Sequence, residues 1–410
     1  MEAGWCWVAP EPFRRGPGSA TWPVILRTST LVLALLVAAE SVAVDKGQAG
    51  AQVPASTSVQ AMPTSTGYSA DGAGNSQANI SLTLELEATS EPVPIAQMID
   101  GWEESARRGE FAYADGRLQL VADYNKVQLM AERRWFYSLR FSPDTVDVYL
   151  DAEFGQESAG TQDLSLIAES FEAKGIGVGY EFSGERWSVT PSFTLYKLLH
   201  YQFGEFTGRS FEGDGTNLSA GLSYYFDEYR FPSFGTLPEY QDPQGNASTQ
   251  WFGYALNLAG EWAVSESWHL KARVRDAWNH FDMFNSAHRQ ICAEVGEVVD
   301  PVCASNGAAA GGSDNPKPFT TQIQPSLRLS AQYLPQGWQA DLAWYREYVN
   351  LTVGRQFQWR GLALTPLVST RRQLGLAVTH RFGHLTYLVD HWNPDQARDA
   401  RIAAGFAYSF

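Results

Sequence analysis

The closing stretch, Ala400-Arg401-Ile402-Ala403-Ala404-Gly405-Phe406-Ala407-Tyr408-Ser409-Phe410, decides how the rest of the chain is read. Ile402, Ala404, Phe406, Tyr408 and Phe410 fall on one face at period two, and Arg401, Ala403, Gly405, Ala407 and Ser409 fall on the other. Successive side chains of an extended strand point to opposite faces, so this is a strand with one apolar, aromatic face and one small or polar face. It ends on an aromatic residue.

The same alternation recurs upstream. Leu118, Leu120 and Ala122 share a face, as do Val127, Leu129, Ala131, Arg133 and Trp135 after the turn Tyr124-Asn125-Lys126. Val146, Val148, Leu150 and Ala152 alternate with Asp147, Tyr149, Asp151 and Glu153 and predict another strand. Phe171, Ala173, Ile176, Val178, Tyr180 and Phe182 follow, with a change of register near Lys174-Gly175 that predicts a bulge. Further strands are predicted over Trp187–Leu195, Leu218–Phe226, Tyr254–Trp262, Trp268–Val274, Ile323–Tyr333, Trp338–Trp344, Leu374–Phe382 and Leu385–Val389. Long connections are expected on both sides of Leu218–Phe226, which upsets a strict short/long alternation. Either a further strand near Tyr201–Phe206 or one extended periplasmic connection would account for it.

Composition limits the classes open to such a chain. It has 410 residues, 13% aromatic and 18% charged, with 45 acidic residues against 30 basic ones and a net charge of −15. That balance lacks the basic footprint nucleic-acid recognition needs. A mean hydropathy of −0.26 argues against a bundle of apolar helices, whereas alternating barrel strands average to a value of this kind. Strands of about ten residues match the length that crosses a bilayer when tilted. Trp187, Trp262, Trp268, Tyr333, Trp338 and Phe382 cluster where strands meet turns, the depth at which amphipathic rings sit in a membrane interface. Tight turns such as Pro335–Gly337 contrast with a long polar loop expected over Asn279–Pro318.

The terminal Phe410, the girdle and an N-terminal export segment together resemble the bacterial outer-membrane β-barrels as a class, over residues 111–410. The resemblance implies an all-β fold, a transmembrane antiparallel up-and-down barrel in the outer membrane. In that class the terminal Phe is part of the signal read by the insertion machinery, which would be one partner of the chain besides the lipid bilayer. Roughly 300 residues at about 22 to 25 per strand and connection give about 12 strands, or up to 14. Residues 1–43 read as a signal peptide whose start lies upstream of the usual position, with Arg14, Arg15 and Arg27 before the apolar Leu31–Ala39 and small residues at Ser41-Val42-Ala43. Residues 44–79 read as a disordered periplasmic tail, too poor in apolar groups to offset ordering entropy. Residues 80–110 are a linker, a first strand or a luminal segment, since Leu82, Leu84 and Leu86 alternate with Thr83, Glu85 and Glu87.

Charges are costly on a lipid face and natural in a polar interior. Lys271, Arg273, Arg275, Glu132, Arg134, Arg328 and Asp341 alternate with the apolar face, so they are expected to line the lumen as a charge ladder. They would form a solvated or mutually paired wall, or a selectivity element built on Lys271, Arg273 and Arg275. Arg133 stands in the apolar register and is expected to snorkel beside Trp135. The expected function is a passive channel for small polar solutes. The alternative is a non-conducting barrel serving as a structural, secretion or assembly partner in the envelope, through its loops or N-terminal tail. An outer-membrane enzyme is a distant third: no His-x-Ser of the phospholipase kind is present, and Asp390-His391 are adjacent and would face opposite ways on a strand. No catalytic residue, cofactor, metal or nucleic-acid partner is expected. Cys292 and Cys303 are expected to form a local disulfide. The Pro-rich stretch Asp227–Thr249, with Tyr229, Phe231, Phe234 and Tyr240, is a candidate for ligand contact, a lid or a compact loop.

Overall fold

The computed structural model describes residues 78–100, 106–154, 160–211, 217–227, 251–296, 298, 310–314 and 317–410. The expected signal peptide, nearly all of the expected tail, Cys303 and the aromatic loop after Asp227 lie outside the described residues.

The described chain is a closed antiparallel barrel of fourteen strands, the top of the expected range. In chain order these are β1 (Ala78–Ser90), β2 (Phe111–Tyr124), β3 (Val127–Phe141), β4 (Gln162–Tyr180) and β5 (Trp187–Ser210). Strand β6 comes in two halves, Leu218–Phe226 and Trp251–Ala263, and β7 is Trp268–Val295. Strand β8 comes in three pieces, Ala310–Asp314, Lys317–Thr321 and Ser326–Tyr333. Then follow β9 (Trp338–Tyr345), β10 (Tyr348–Arg355, continued by Phe357–Trp359), β11 (Leu362–Ser369), β12 (Leu374–His380), β13 (Gly383–Val389) and β14 (Asp399–Ser409).

Closure is made by β1 on β14, in register from Asn79 opposite Ser409 to Thr89 opposite Asp399. The Phe410 N–H extends this ladder to the Ala78 carbonyl at 2.9 Å. The segment left open between linker, strand and luminal piece is therefore the first wall strand, and it starts two residues inside the stretch expected to be tail. Leaving β1 out would expose the ladder edges of β2 and β14, which a membrane does not tolerate.

The uneven connections around Leu218–Phe226 have a simple cause. That segment pairs with Gln202–Ser210 of β5, while Trp251–Ala263 pairs with Trp187–Lys197 of the same strand. Both run downward in one lane, interrupted by residues 227–250. Tyr201–Phe206 is the upper part of β5, not a separate strand. The short turns 125–126, 334–337, 360–361 and 381–382 share one end of the barrel with Phe410. The opposite end carries longer loops on the N-terminal side, but tight turns at Arg346-Glu347 and Thr370–Gln373.

Three strand expectations fail, each for an identifiable reason. Residues Pro143–Phe154 form a helix, α1, not a strand. Ser142 caps it, its Oγ accepting from Thr145 N at 3.3 Å, with Pro143 and Asp144 in the first turn. Val146 and Leu150, one helical turn apart, face the same apolar cluster. The expected bulge at Lys174-Gly175 is absent from β4; the extra residue is Leu199 in β5, where Glu172 pairs with His200 but Ala173 with Leu198. The apolar pattern of β4 changes because Phe171 and Ala173 face inward whereas Ile176 and Val178 face outward. Finally, the loop expected over Asn279–Pro318 is largely sheet, since β7 continues to Val295 and pairs with Ala310–Thr321.

These failures have a common origin in polarity. Within the membrane zone the outward face is apolar and exposed, as at Leu129, Ile176, Leu195 and Val368. Further up, the wall carries apolar side chains on both faces. Leu139 and Phe141 pack outward against Val93, Met98 and Val146, while Val148 of α1 covers Leu164, Phe206 and Leu218. Phe111, Tyr113, Phe136, Phe171, Phe281 and Tyr345 pack inward. A strand buried on both faces loses its period of two.

Candidate functional site: a charge-paired lumen

The lower lumen is lined by the polar faces of the strands, and each expected ladder residue is there with a partner. Lys271 bonds Glu261 at 3.0 Å across neighbouring strands. Arg273 reaches Glu85 at 2.7 Å, and Arg275 bonds the second oxygen of the same carboxylate. Arg328 bonds Glu87 at 2.7 Å and lies 3.6 Å from Asp341, which also takes Arg401 at 2.8 Å. Arg134 grips both oxygens of Asp276 at 2.7 Å and bonds Asp115 at 3.2 Å. Arg117 lies between Asp276 at 3.1 Å, Asp115 at 3.2 Å and Glu132 at 3.7 Å. Glu132 further accepts from Tyr196 Oη at 2.7 Å and from Gln119.

Strand order gives these pairs their meaning. Glu85 and Glu87 stand on β1, next to β14 and β2, whereas Arg273, Arg275 and Arg328 stand on β7 and β8 at the far side of the ring. A direct ion pair between them requires the two walls to approach to side-chain contact. Opposite walls are thus bridged through the lumen, and the cations and carboxylates just named are equal in number, several carboxylates each holding two guanidinium groups. The arrangement is a lattice and not a one-signed ladder. Arg117 and Arg134 are only 2% and 1% exposed, so water does little to screen them.

An aromatic layer lies directly above. Arg134 stacks over Phe136 and Phe171 at 5.4 and 5.1 Å, joining the two layers through cation–π contact. Tyr113 stacks on Tyr345 at 4.3 Å, and Phe171 lies 4.9 Å from Phe281. Below the lattice, towards the short turns, a polar cavity of about 210 Å³ remains, lined by Gln128, Ser188, Thr190, Ser192, Lys271 and Arg401 among others. At the upper rim, Arg346 bonds Glu169 at 2.8 Å, and Arg371 bonds Asp399 at 2.6 Å and Thr89 at 3.0 Å. Burial alone would lower the Arg371 pKa, but the Asp399 carboxylate holds it above its ordinary value.

The outward residues are also placed. Trp187, Trp262, Trp268 and Trp338 are about half exposed at the lower ends of their strands, where Trp268 packs on Tyr333 at 5.1 Å. Phe382 lies in the lower turn 381–382. Phe410 is exposed beside Tyr408 at that end. Arg133 faces outward, lies 5.4 Å from the Trp135 ring and pairs with Glu172. Cys292 is disulfide-bonded and stands on β7, not in a loop.

Several participants were missed by the sequence reading. Glu85 and Glu87 were visible in alternation but not assigned to the wall. Glu261 alternates correctly beside Trp262 and carried a usable signal. Asp276 did not, because it sits at φ 57° where β7 slips by two residues against β6. The pair Ser223 Oγ and His288 Nε2, 3.1 Å apart, was also missed. Asn279, expected to open a long polar loop, instead holds the Ile323 backbone on both sides at 2.7 Å. Asp390 accepts from the Arg398 and Asp399 backbone N–H groups, each at 3.0 Å, and so braces the rim loop.

A closed barrel, an apolar outward band bounded by aromatic residues, and a charged lattice turned into the lumen at the level of that band define an integral outer-membrane β-barrel protein. No family model and no curated protein matches the chain. Among solved structures it is similar to the toluene transporter TodX of P. putida, at 10% identity over 82% of this chain and 90% of that one, with a TM-score of 0.32. It is also similar to the toluene transporter TbuX of Ralstonia pickettii (7% identity, 82% and 90% covered, TM-score 0.25) and to the outer membrane protease OmpT of Escherichia coli (10% identity, 82% and 97% covered, TM-score 0.21). Likenesses this distant carry no argument about solute or reaction.

Proposed function

We propose that the protein is a passive outer-membrane channel for small polar solutes, held shut in this conformation by its luminal lattice. The observation that carries the proposal is the chemistry chosen for the closure. Buried ion pairs gain little stability, because desolvation cancels most of their attraction, and well-packed apolar residues serve a purely structural filling at least as well. The layer immediately above is built in that apolar way. A charged, balanced layer instead keeps a wall that water can wet once the pairs separate, and the polar cavity beneath it is already continuous with that wall. No enzymatic step is part of the proposal.

The second reading, a non-conducting barrel that serves as an envelope partner, is favoured by one specific feature: the pairs span the lumen from wall to wall. Liposome swelling separates the two. Proteoliposomes carrying the protein should swell in small sugars and amino acids, at rates that fall with solute size and rise modestly with ionic strength, because only the part-exposed pairs of Glu85 and Glu87 are open to screening. No swelling at any ionic strength, from protein whose insertion is verified by heat-modifiable mobility, would discard the channel and favour the partner role.

A further inference from the structure

We propose that the outer wall carries a binding site for the phosphate of an outer-leaflet glycolipid headgroup, centred on Lys174 and Lys197. This site lies on the outward face and is independent of what the lumen does. The ladder places Arg133 opposite Lys174, and Lys174 opposite Lys197, so three cations stand side by side on β3, β4 and β5. All three are exposed on the outward face.

One pleat lower, the same strands present Ala131, Ile176 and Leu195, and Ile176 is 69% exposed. A single step of about 7 Å along the strands therefore passes from a wholly apolar row to a wholly cationic one. This is the upper edge of the membrane band, since the short turns and Phe410 mark the periplasmic end and lie at the other end of these strands.

Like charges directly opposite on a sheet repel. Arg133 is relieved by Glu172. Lys174 and Lys197 are not: neither makes an ion pair or side-chain hydrogen bond among the described residues. In a chain of net charge −15 this row is a local inversion of sign, and it faces lipid headgroups, not bulk water. Two ammonium groups on neighbouring strands, each on a flexible stem, can converge on one phosphate, which supplies the counter-charge the protein omits. The apolar row below would carry the acyl chains of the same molecule.

The test uses the full chain in detergent, with binding of bis-phosphorylated lipid A read by native mass spectrometry. Wild type should hold it, and Lys174→Gln with Lys197→Gln should weaken it by about thirty-fold, the loss expected for two juxtamembrane cations. Removing the phosphates from the lipid should produce the same loss, and the surface control Lys317→Gln should produce none. Unchanged heat-modifiable mobility shows that each variant is folded. Equal binding by wild type and the double variant would overturn the proposal. So would equally strong binding of phosphatidylglycerol or of inorganic phosphate, because the site would then recognise any anion and not a glycolipid.

Discussion

Glu85→Gln combined with Glu87→Gln is expected to convert a barrel that opens rarely into one with frequent open steps in a planar bilayer. Each carboxylate takes cations from the opposite wall, Glu85 from Arg273 and Arg275, and Glu87 from Arg328. Glu87 also accepts from Tyr348 Oη at 3.2 Å. The amides keep the size of the side chains but remove the charge. Arg275 and Arg328 keep only their longer ion pairs, to Asp115 and Asp341, both 3.6 Å, while Asp276 still holds Arg117 and Arg134. The lumen then has a surplus of positive charge, and mutual repulsion among Arg273, Arg275 and Arg328 favours separated, hydrated walls. A charge-assisted hydrogen bond contributes about 1.5–3 kcal/mol. Losing that much bridging should raise open probability about tenfold to a hundredfold, and the open state should prefer anions. Conductance that stays at the wild-type level in the double variant would show that the walls are held together by something else.

The second large effect concerns stability. Asp276→Asn is expected to lower the unfolding free energy by about 3 kcal/mol, the lower end of the range for breaking a buried ion pair by removing one partner. Asp276 accepts from both Arg117 and Arg134, and all three side chains are 2% exposed or less. Asp115 and Glu132 stay within reach of the two guanidinium groups, which limits the loss. Asparagine is the informative replacement because it tolerates the left-handed φ of 57° that alanine would resist. Pairing it with Arg134→Met should recover part of the loss, since the stranded charge is then gone. Urea titration of the membrane-inserted protein reads both values. An Asp276→Asn midpoint equal to wild type would mean that water, and not Asp276, solvates the arginines.

The legibility of the fold in the sequence differs along the strands. In the membrane zone the outward side faces lipid and the inward side faces polar neighbours, so alternation alone placed Lys271, Arg273, Arg275, Arg328 and Asp341 in the lumen. Above that zone α1, Val93, Met98 and Ala106 cover the outer face, and the aromatic layer fills the inner one. With both faces buried, the alternation that marks a strand is gone, and accidental alternation in Val146–Ala152 read as a strand where Ser142-Pro143-Asp144 already signalled a helix start. The pairing of the ladder was hidden for a different reason. Which carboxylate meets which guanidinium depends on how far apart two walls stand, and that distance is a property of the closed ring. Periodicity tells which face Glu85 occupies, but not that β7 lies across from it.

Whether the lattice blocks the lumen is read from the accessibility of a cysteine placed just beneath it. Ser188 lines the polar cavity near the short-turn end. In uniformly oriented proteoliposomes, Ser188→Cys should react with a small charged thiol reagent added on the short-turn side and be protected from the same reagent added on the long-loop side. Equal reaction rates from both sides would contradict the account, because the lumen would then be open through the layer where Arg273, Arg275 and Arg328 meet Glu85 and Glu87.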